Sequence, residues 1–359
     1  MARRSSSAAS ALTRAYQRNV KALTKATLQG GRRMAGQLQR AVAKHFKPPP
    51  GRGDWIAGMA LGPAGARRYH LYRPPDLKLQ PGERLPLMVM LHGCGQTGRD
   101  FAVSTRMDQL AAHHRFLVLY PEQDRLANAQ GCWNWYDRRS GKADAEAATL
   151  MAAVDQVCLL HRADRERVAV AGLSAGASMA ALLATRYPVR FQAVAMHSGV
   201  APGAAKSPVT ALGAMRGRHP PAVLATAVGK ALGAAAAFTT LPPLLVLHGD
   251  ADAIVAPSNA QDSATIWATA TGAAPSAMRV LQRGNRHPMR VTDYKHQGHT
   301  CVTLCQIAQL GHAWSGGAAR APFSDAAGPD ATRLVWAFAS RQFAAAELSQ
   351  PPARILRAH

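Results

Sequence analysis

The sequence predicts an α/β protein with a mostly parallel sheet covered by helices on both faces. Three observations carry this: short runs apolar at every position, helical patterns alternating with them, and turn residues where the runs stop. The runs fall at 87–91, 116–120, 168–171, 193–196 and 244–248, and the helical patterns at 103–114, 144–161, 175–187, 259–270 and 329–346.

Taken in chain order, the first element is basic. Residues 1–50 carry 11 Lys or Arg and no Asp or Glu, in a 359-residue chain of formal net charge +23. Leu12, Tyr16, Val20 and Leu23 stand at helical spacing, so a disordered or partly helical arm is expected, either simply solvated or drawn to an anionic surface. Nucleic acid is not the expected partner. No apolar run of signal-peptide length follows Arg3 and Arg4, which speaks against a secretory leader and leaves the cytoplasm as the alternative location. Pro48-Pro49-Pro50-Gly51 ends the arm, because three prolines cannot continue a helix. A domain of residues 51–350 is expected to follow, then a tail of 351–359. Within it, the Ala-, Gly- and Pro-rich stretch 201–243 interrupts the alternation, either as a lid or flap or as a loose surface excursion. No stretch approaches the roughly 18 apolar residues of a membrane-spanning helix. At 48% hydrophobic the chain fills a large core, which excludes a disulfide miniprotein.

Five cysteines are too few and too irregular for a disulfide framework or structural zinc. Cys158 lies in an apolar helical run and reads as core; Cys94 with Cys132, or Cys301 with Cys305, are the pairs open in an oxidising compartment.

The strongest chemical signal is Gly172-Leu173-Ser174-Ala175-Gly176, between the run 168–171 and a helix. A nucleophilic serine at a strand-to-helix turn needs small neighbours so that the flanking chain segments approach closely, and the helix start supplies N–H groups where an oxyanion forms. A serine hydroxyl also needs a base oriented by an acid. Leu244 to His248 runs into Gly249-Asp250-Ala251-Asp252, which sets a carboxylate at the sheet edge. Asp252, deeper in the loop, is expected to be the acid and Asp250 to brace the turn. Gly311-His312-Ala313-Trp314 offers the base, with His299 as the alternative; His197 and His248 read as strand ends. Leu91-His92-Gly93-Cys94-Gly95-Gln96 follows an earlier strand, so the oxyanion donors are assigned to the main-chain N–H groups of Cys94 and Ala175, with the Cys94 thiol incidental. The aromatic cluster Trp133-Asn134-Trp135-Tyr136 is expected either to wall the substrate site or to cap the core.

From Gly65 to Ala345 the chain resembles the polyhydroxybutyrate depolymerase family of α/β-hydrolase esterases, which includes feruloyl and acetyl xylan esterases. The likeness rests on 91–97, Gly131-Cys132-Trp133-Asn134-Trp135, 172–177, 248–252 and Gly311-His312-Ala313-Trp314-Ser315-Gly316-Gly317. It implies an α/β-hydrolase fold, a serine esterase with Ser174 as nucleophile, Asp252 as acid and His312 as base, oxyanion donors at Cys94 and Ala175, and substrate contacts at Trp133, Trp135 and Trp314. It implies no metal or organic cofactor. The substrate expected is short-chain poly-3-hydroxybutyrate or its oligomers, with feruloyl or acetyl xylan esters as the alternative. The family resemblance points outside the cell. The expectation from another class is a granule-surface or anion-binding protein that acts through its basic arm.

Overall fold

The computed structural model describes residues 48–218 and 241–349. The chain divides into two compact units, Met1–Pro48 and Pro49–His359. The basic arm to residue 47, the tail 351–359 and residues 219–240 of the expected lid lie outside the described residues.

A hairpin, β1 (Asp54–Gly62) and β2 (Gly65–Arg73), leads into β3 (Leu85–Leu91), α1 (Gly98–Thr105), α2 (Met107–His114) and β4 (Leu117–Pro121). Then come α3 (Lys142–Leu160), β5 (Ala163–Leu173), α4 (Ala175–Arg186), β6 (Ala193–His197), α5 (Pro208–Met215) and β7 (Leu244–Gly249). The chain continues through α6 (Ser258–Thr271), β8 (Ala274–Pro275), β9 (Arg279–Leu281), β10 (Met289–His296) and β11 (His299–Ile307). Two short strands, β12 (Trp314–Ser315) and β13 (Ser324–Asp325), precede α7 (Ala331–Ser349). The main sheet has 11 strands in the order β1-β2-β4-β3-β5-β6-β7-β11-β10-β8, with β9 beside β10. From β4 to β11 every neighbour is parallel; β1, β2 and β10 are antiparallel flanks.

Parallel strands send alternate side chains into two cores. Leu87, Val89, Leu91, Val168 and Val170 pack under α3, α4 and α6, while Met88, Met90, Val118 and Tyr120 pack with Phe101, Met107 and Phe338 on the other face. This double burial is why the central runs carry no polar alternation. The expected helix 103–114 is instead two helices. Arg106, at φ 56°, leaves the right-handed region and ends α1, and its guanidinium donates to Gly316 O at 2.6 Å. The strands β1, β2, β10 and β11 are not among the expected runs, because β1, β2 and β10 mix charged with apolar residues and β11 interleaves Thr and Gln with apolar ones. No helix of the described residues is long and apolar enough to cross a membrane.

One buried acid has no counter-ion among the described residues. Asp108 of α2 is fully enclosed, accepts the Tyr120 hydroxyl at 2.5 Å through Oδ1, and has no hydrogen-bond partner for Oδ2 among the described residues. Burial pushes its carboxyl up to about 7, against the lowering effect of the Tyr120 hydroxyl. The unfolded chain releases this proton near the ordinary carboxylate value while the folded chain keeps it, so this residue lowers stability progressively as pH rises from 4 to 7. Asp108→Asn removes that penalty. Urea unfolding at pH 4 and pH 8 is expected to show the variant gaining on the parent at the higher pH by about 1–4 kcal/mol; an equal difference at both pH values contradicts the assignment.

Candidate active site

Ser174 lies between the end of β5 and the start of α4 at φ 57° and ψ −121°, a strained conformation for a residue with a side chain. Its N–H donates to His197 O of β6 at 2.9 Å, and its carbonyl accepts from Ala177 and Ser178 at 3.0 and 3.1 Å. The turn is tight against the neighbouring strand: a Cβ on Gly176 would sit 2.1 Å from Leu91 O. Only glycine allows α4 to start this close to β3, which is the physical content of the Gly172 to Gly176 spacing. The partly exposed Ser174 hydroxyl makes no hydrogen bond among the described residues.

Two strands away, the turn after β7 holds Asp252 with its side chain fully buried. Oδ1 accepts the Ile254 and Val255 amides at 2.9 Å each. Oδ2 accepts His312 Nδ1 at 2.8 Å and lies 3.4 Å from His248 Nε2. Burial alone raises this carboxyl, but the imidazole N–H groups of His248 and His312 and the Val255 amide hold it well below the usual carboxylate range. Asp250 is exposed and accepts Gln309 N at 2.7 Å, bracing the turn. A Cβ on Gly249 would fall 1.9 Å from Leu310 O, so glycine also lets the β7 turn meet the loop that carries His312. His299 begins β11 and is exposed, at the amino end of that strand and away from this edge.

His197, the last residue of β6, joins both halves. Its carbonyl takes the Ser174 amide, its Nε2 accepts the Ser315 amide at 3.1 Å, and its ring stacks on Trp314 with centroids 5.1 Å apart. Nδ1 therefore carries the proton and donates to Ser198 Oγ at 3.2 Å. Burial, with the charges of His248 and His312 adding to it and Asp252 opposing, pushes this imidazole down to about 3. It stays a neutral acceptor for the His312 loop. Sequence reasoning missed the part played by His197 and His248; the available signal was that His197 ends the strand beside the serine turn and His248 stands four residues before Asp252.

The loop after β3 runs beside the serine, since a Cβ on Gly93 would be 3.6 Å from Ser174 Cβ. The amides of Cys94 and Ala175 donate to no protein acceptor among the described residues, leaving two N–H groups at this edge for a ligand oxygen. The Cys94 thiol is not incidental: it forms a disulfide with Cys132. It is one of the two pairs the sequence leaves open, and it ties the loop to residues 131–135. Cys301 and Cys305 are unpaired; four residues apart on one strand, they are roughly 13 Å apart, too far to bridge. Cys158 is buried and unpaired, in the core as expected.

Trp133 follows the core-capping alternative, and the substrate contact expected at Trp314 needs correction. Trp133 is fully buried and donates from Nε1 to His92 O at 3.0 Å, and Trp314 is fully buried and donates to Thr332 Oγ1. Both are packing residues. Trp135 is half-buried and lines a narrow pocket with Ser178, Leu182, Val200, Trp267 and Arg138, one helical turn from Ser174. Beneath the 131–135 loop lies Glu146, which sequence reasoning also missed. Its carboxylate accepts the Asn134 main-chain and side-chain N–H groups at 2.8 and 2.6 Å, Gln123 Nε2 at 2.6 Å and Arg67 Nη2 at 3.2 Å.

Residues 67–274 match the family model described as Esterase PHB depolymerase. Poly(3-hydroxyalkanoate) depolymerase C of Paucimonas lemoignei is 33% identical over 183 residues, 50% of this chain and 43% of that protein. Feruloyl esterase B of Neurospora crassa is 32% identical over 148 residues, 41% of this chain and 48% of that protein. The matches thus span less than half the length of these two relatives. An acetyl xylan esterase from Aspergillus awamori superposes with a TM-score of 0.59 at 21% identity, over 73% of this chain and 94% of that one. The fold is that of the α/β-hydrolases.

The disulfide spans 38 residues of chain, so chain entropy alone assigns it about 4 kcal/mol. Cys132→Ser is expected to lower unfolding free energy by a few kcal/mol, and reductant is expected to destabilise the parent but not the variant, as read by urea titration with and without dithiothreitol. An unchanged midpoint in both would show that the loop is held without it.

Proposed function

The chain belongs to the Esterase PHB depolymerase family, and on that premise we propose that it is a serine carboxylic ester hydrolase. The observation that carries the reading is the strained Ser174 turn on one side of His197 and the Asp252–His312 pair on the other, all at the carboxyl edge of the parallel strands. His312 Nε2 takes the proton of Ser174 Oγ as that oxygen attacks the ester carbonyl carbon. Asp252 keeps Nδ1 protonated, which leaves Nε2 free as the base, and stabilises the imidazolium that forms. The carbonyl oxygen, now negative, is received by the Cys94 and Ala175 amides. His312 then protonates the departing alkoxide, and the same steps run with water to release the acyl group as an acid and free the serine.

The substrate in this reading is a short-chain polyhydroxyalkanoate, poly-3-hydroxybutyrate or its oligomers, supported by the family match and by the depolymerase relative. Feruloyl or acetyl esters of xylan form the second reading, supported by the esterase relatives. In both, residues 51–350 are the catalytic unit, and the basic arm of residues 1–50 meets an anionic or granule surface.

Release of 3-hydroxybutyrate from amorphous polyhydroxybutyrate, with p-nitrophenyl butyrate as a small ester, tests the reading. Ser174→Ala is expected to lower turnover of both by about 10⁴- to 10⁶-fold with the fold intact. A variant that keeps its activity overturns the mechanism. A parent that cleaves the small ester but not the polymer moves the substrate to feruloyl or acetyl esters.

A further inference from the structure

His248 is absent from the mechanism above, yet it is buried against its centre. It is the penultimate residue of β7, 1% exposed, with Nε2 2.9 Å from Val255 O and 3.4 Å from Asp252 Oδ2. A carbonyl and a carboxylate can only accept, so Nε2 carries a proton and points it at both. Val255 closes the ring, because its own N–H donates to Asp252 Oδ1. The same carboxylate oxygen, Oδ2, therefore faces two imidazole N–H groups, one from His312 and one from His248.

We infer that His248 is a positioning residue that shares the Asp252 carboxylate with His312 and so limits how tightly that carboxylate holds the charged form of His312. The inference rests on the catalytic reading of Ser174, Asp252 and His312. Asp252 is held from two sides: the Ile254 and Val255 amides fix Oδ1, and His248 draws on the charge of Oδ2. A carboxylate with no second donor on Oδ2 would stabilise the imidazolium more strongly, keeping His312 protonated, and unable to act as a base, to higher pH. The other titratable groups around this ring are His197 on β6 and Asp250 in the turn. His197 is a neutral acceptor for the Ser315 amide, and the exposed Asp250 is occupied by Gln309 N, so His248 is the group that competes with His312 for Oδ2.

The test is the pH profile of kcat/KM on p-nitrophenyl butyrate for the full chain, His248→Phe and His248→Gln. Phenylalanine keeps the ring volume without the N–H, whereas glutamine returns an N–H close to the Nε2 position. The phenylalanine variant is expected to move the acid limb to higher pH by about half a unit or more and to lower kcat about tenfold with KM within about twofold, and glutamine to return the limb toward the parent. An acid limb that does not move, that moves down, or that moves equally in both variants overturns the inference.

A second reading does not need turnover. In a Ser174→Ala background, the His312 Nδ1 proton is followed by NMR with and without His248→Phe; where phenylalanine does not fold, His248→Asn, too short to reach Asp252, replaces it. Loss of the competing donor is expected to strengthen the remaining bond and move this proton downfield, and an unchanged signal contradicts the assignment. Because this signal is independent of catalysis, an active Ser174→Ala protein would overturn the mechanism without deciding the role of His248.

Discussion

A buried carboxylate organises this edge of the molecule. Asp252 has no exposed side-chain surface, and an unpaired charge in that position would cost several kcal/mol. The fold meets the cost with four N–H groups from three places: two amides of its own turn, His248 on β7, and His312 on the loop after β11. The donors come from β7, from the turn that follows it and from the loop after β11, so satisfying one charge also brings together the ends of β7 and β11. The close approach of Gly249 to Leu310 O is the steric condition for this meeting. His197 then links the assembled loop to the serine turn through one carbonyl and one ring nitrogen.

The opposite wall is fastened differently. There the Cys94 loop has to present a free amide, so its own backbone cannot be used up in regular structure. Gln96 accepts the Gly93 amide, His92 accepts the Gln123 amide, and the disulfide joins Cys94 to the 131–135 loop, which Glu146 and Arg67 anchor from below. The Arg67–Glu146 pair is almost fully buried, where removing either partner would strand the other's charge. This wall is therefore built on a polar network under a loop, with Trp133 fully buried in it and donating to His92 O.

How much of this is legible in the sequence follows from what each feature depends on. The central strands are legible because burial on both faces leaves runs such as Leu87 to Leu91 with no polar position. The serine turn is legible because it needs glycine next to a strand end. The flanking strands are not, since Arg67 and His70 in β2 or Arg290 and Lys295 in β10 look like surface chain until their partners are known. Arg67 is in fact buried against Glu146, 79 residues later. Asp252 and His312 can be proposed from order along the chain, but His197 and Glu146 owe their places to contacts between distant segments, and His248, only four residues from Asp252, gains its role from the turn that folds it back on that carboxylate. The tryptophans illustrate the same limit. Loop position suggests exposure, while only the packed structure distinguishes the buried Trp133 and Trp314 from the half-buried Trp135.

The central claim is that Ser174 is the activated nucleophile at this edge, and covalent trapping tests it most directly. The native protein is treated with a fluorophosphonate, then digested and mapped by mass spectrometry, with a denatured control. A single adduct on Ser174, in step with loss of ester hydrolysis and absent after denaturation, is the result the account predicts. An adduct on another residue that tracks the loss of activity, or full inactivation with Ser174 unmodified, would contradict it.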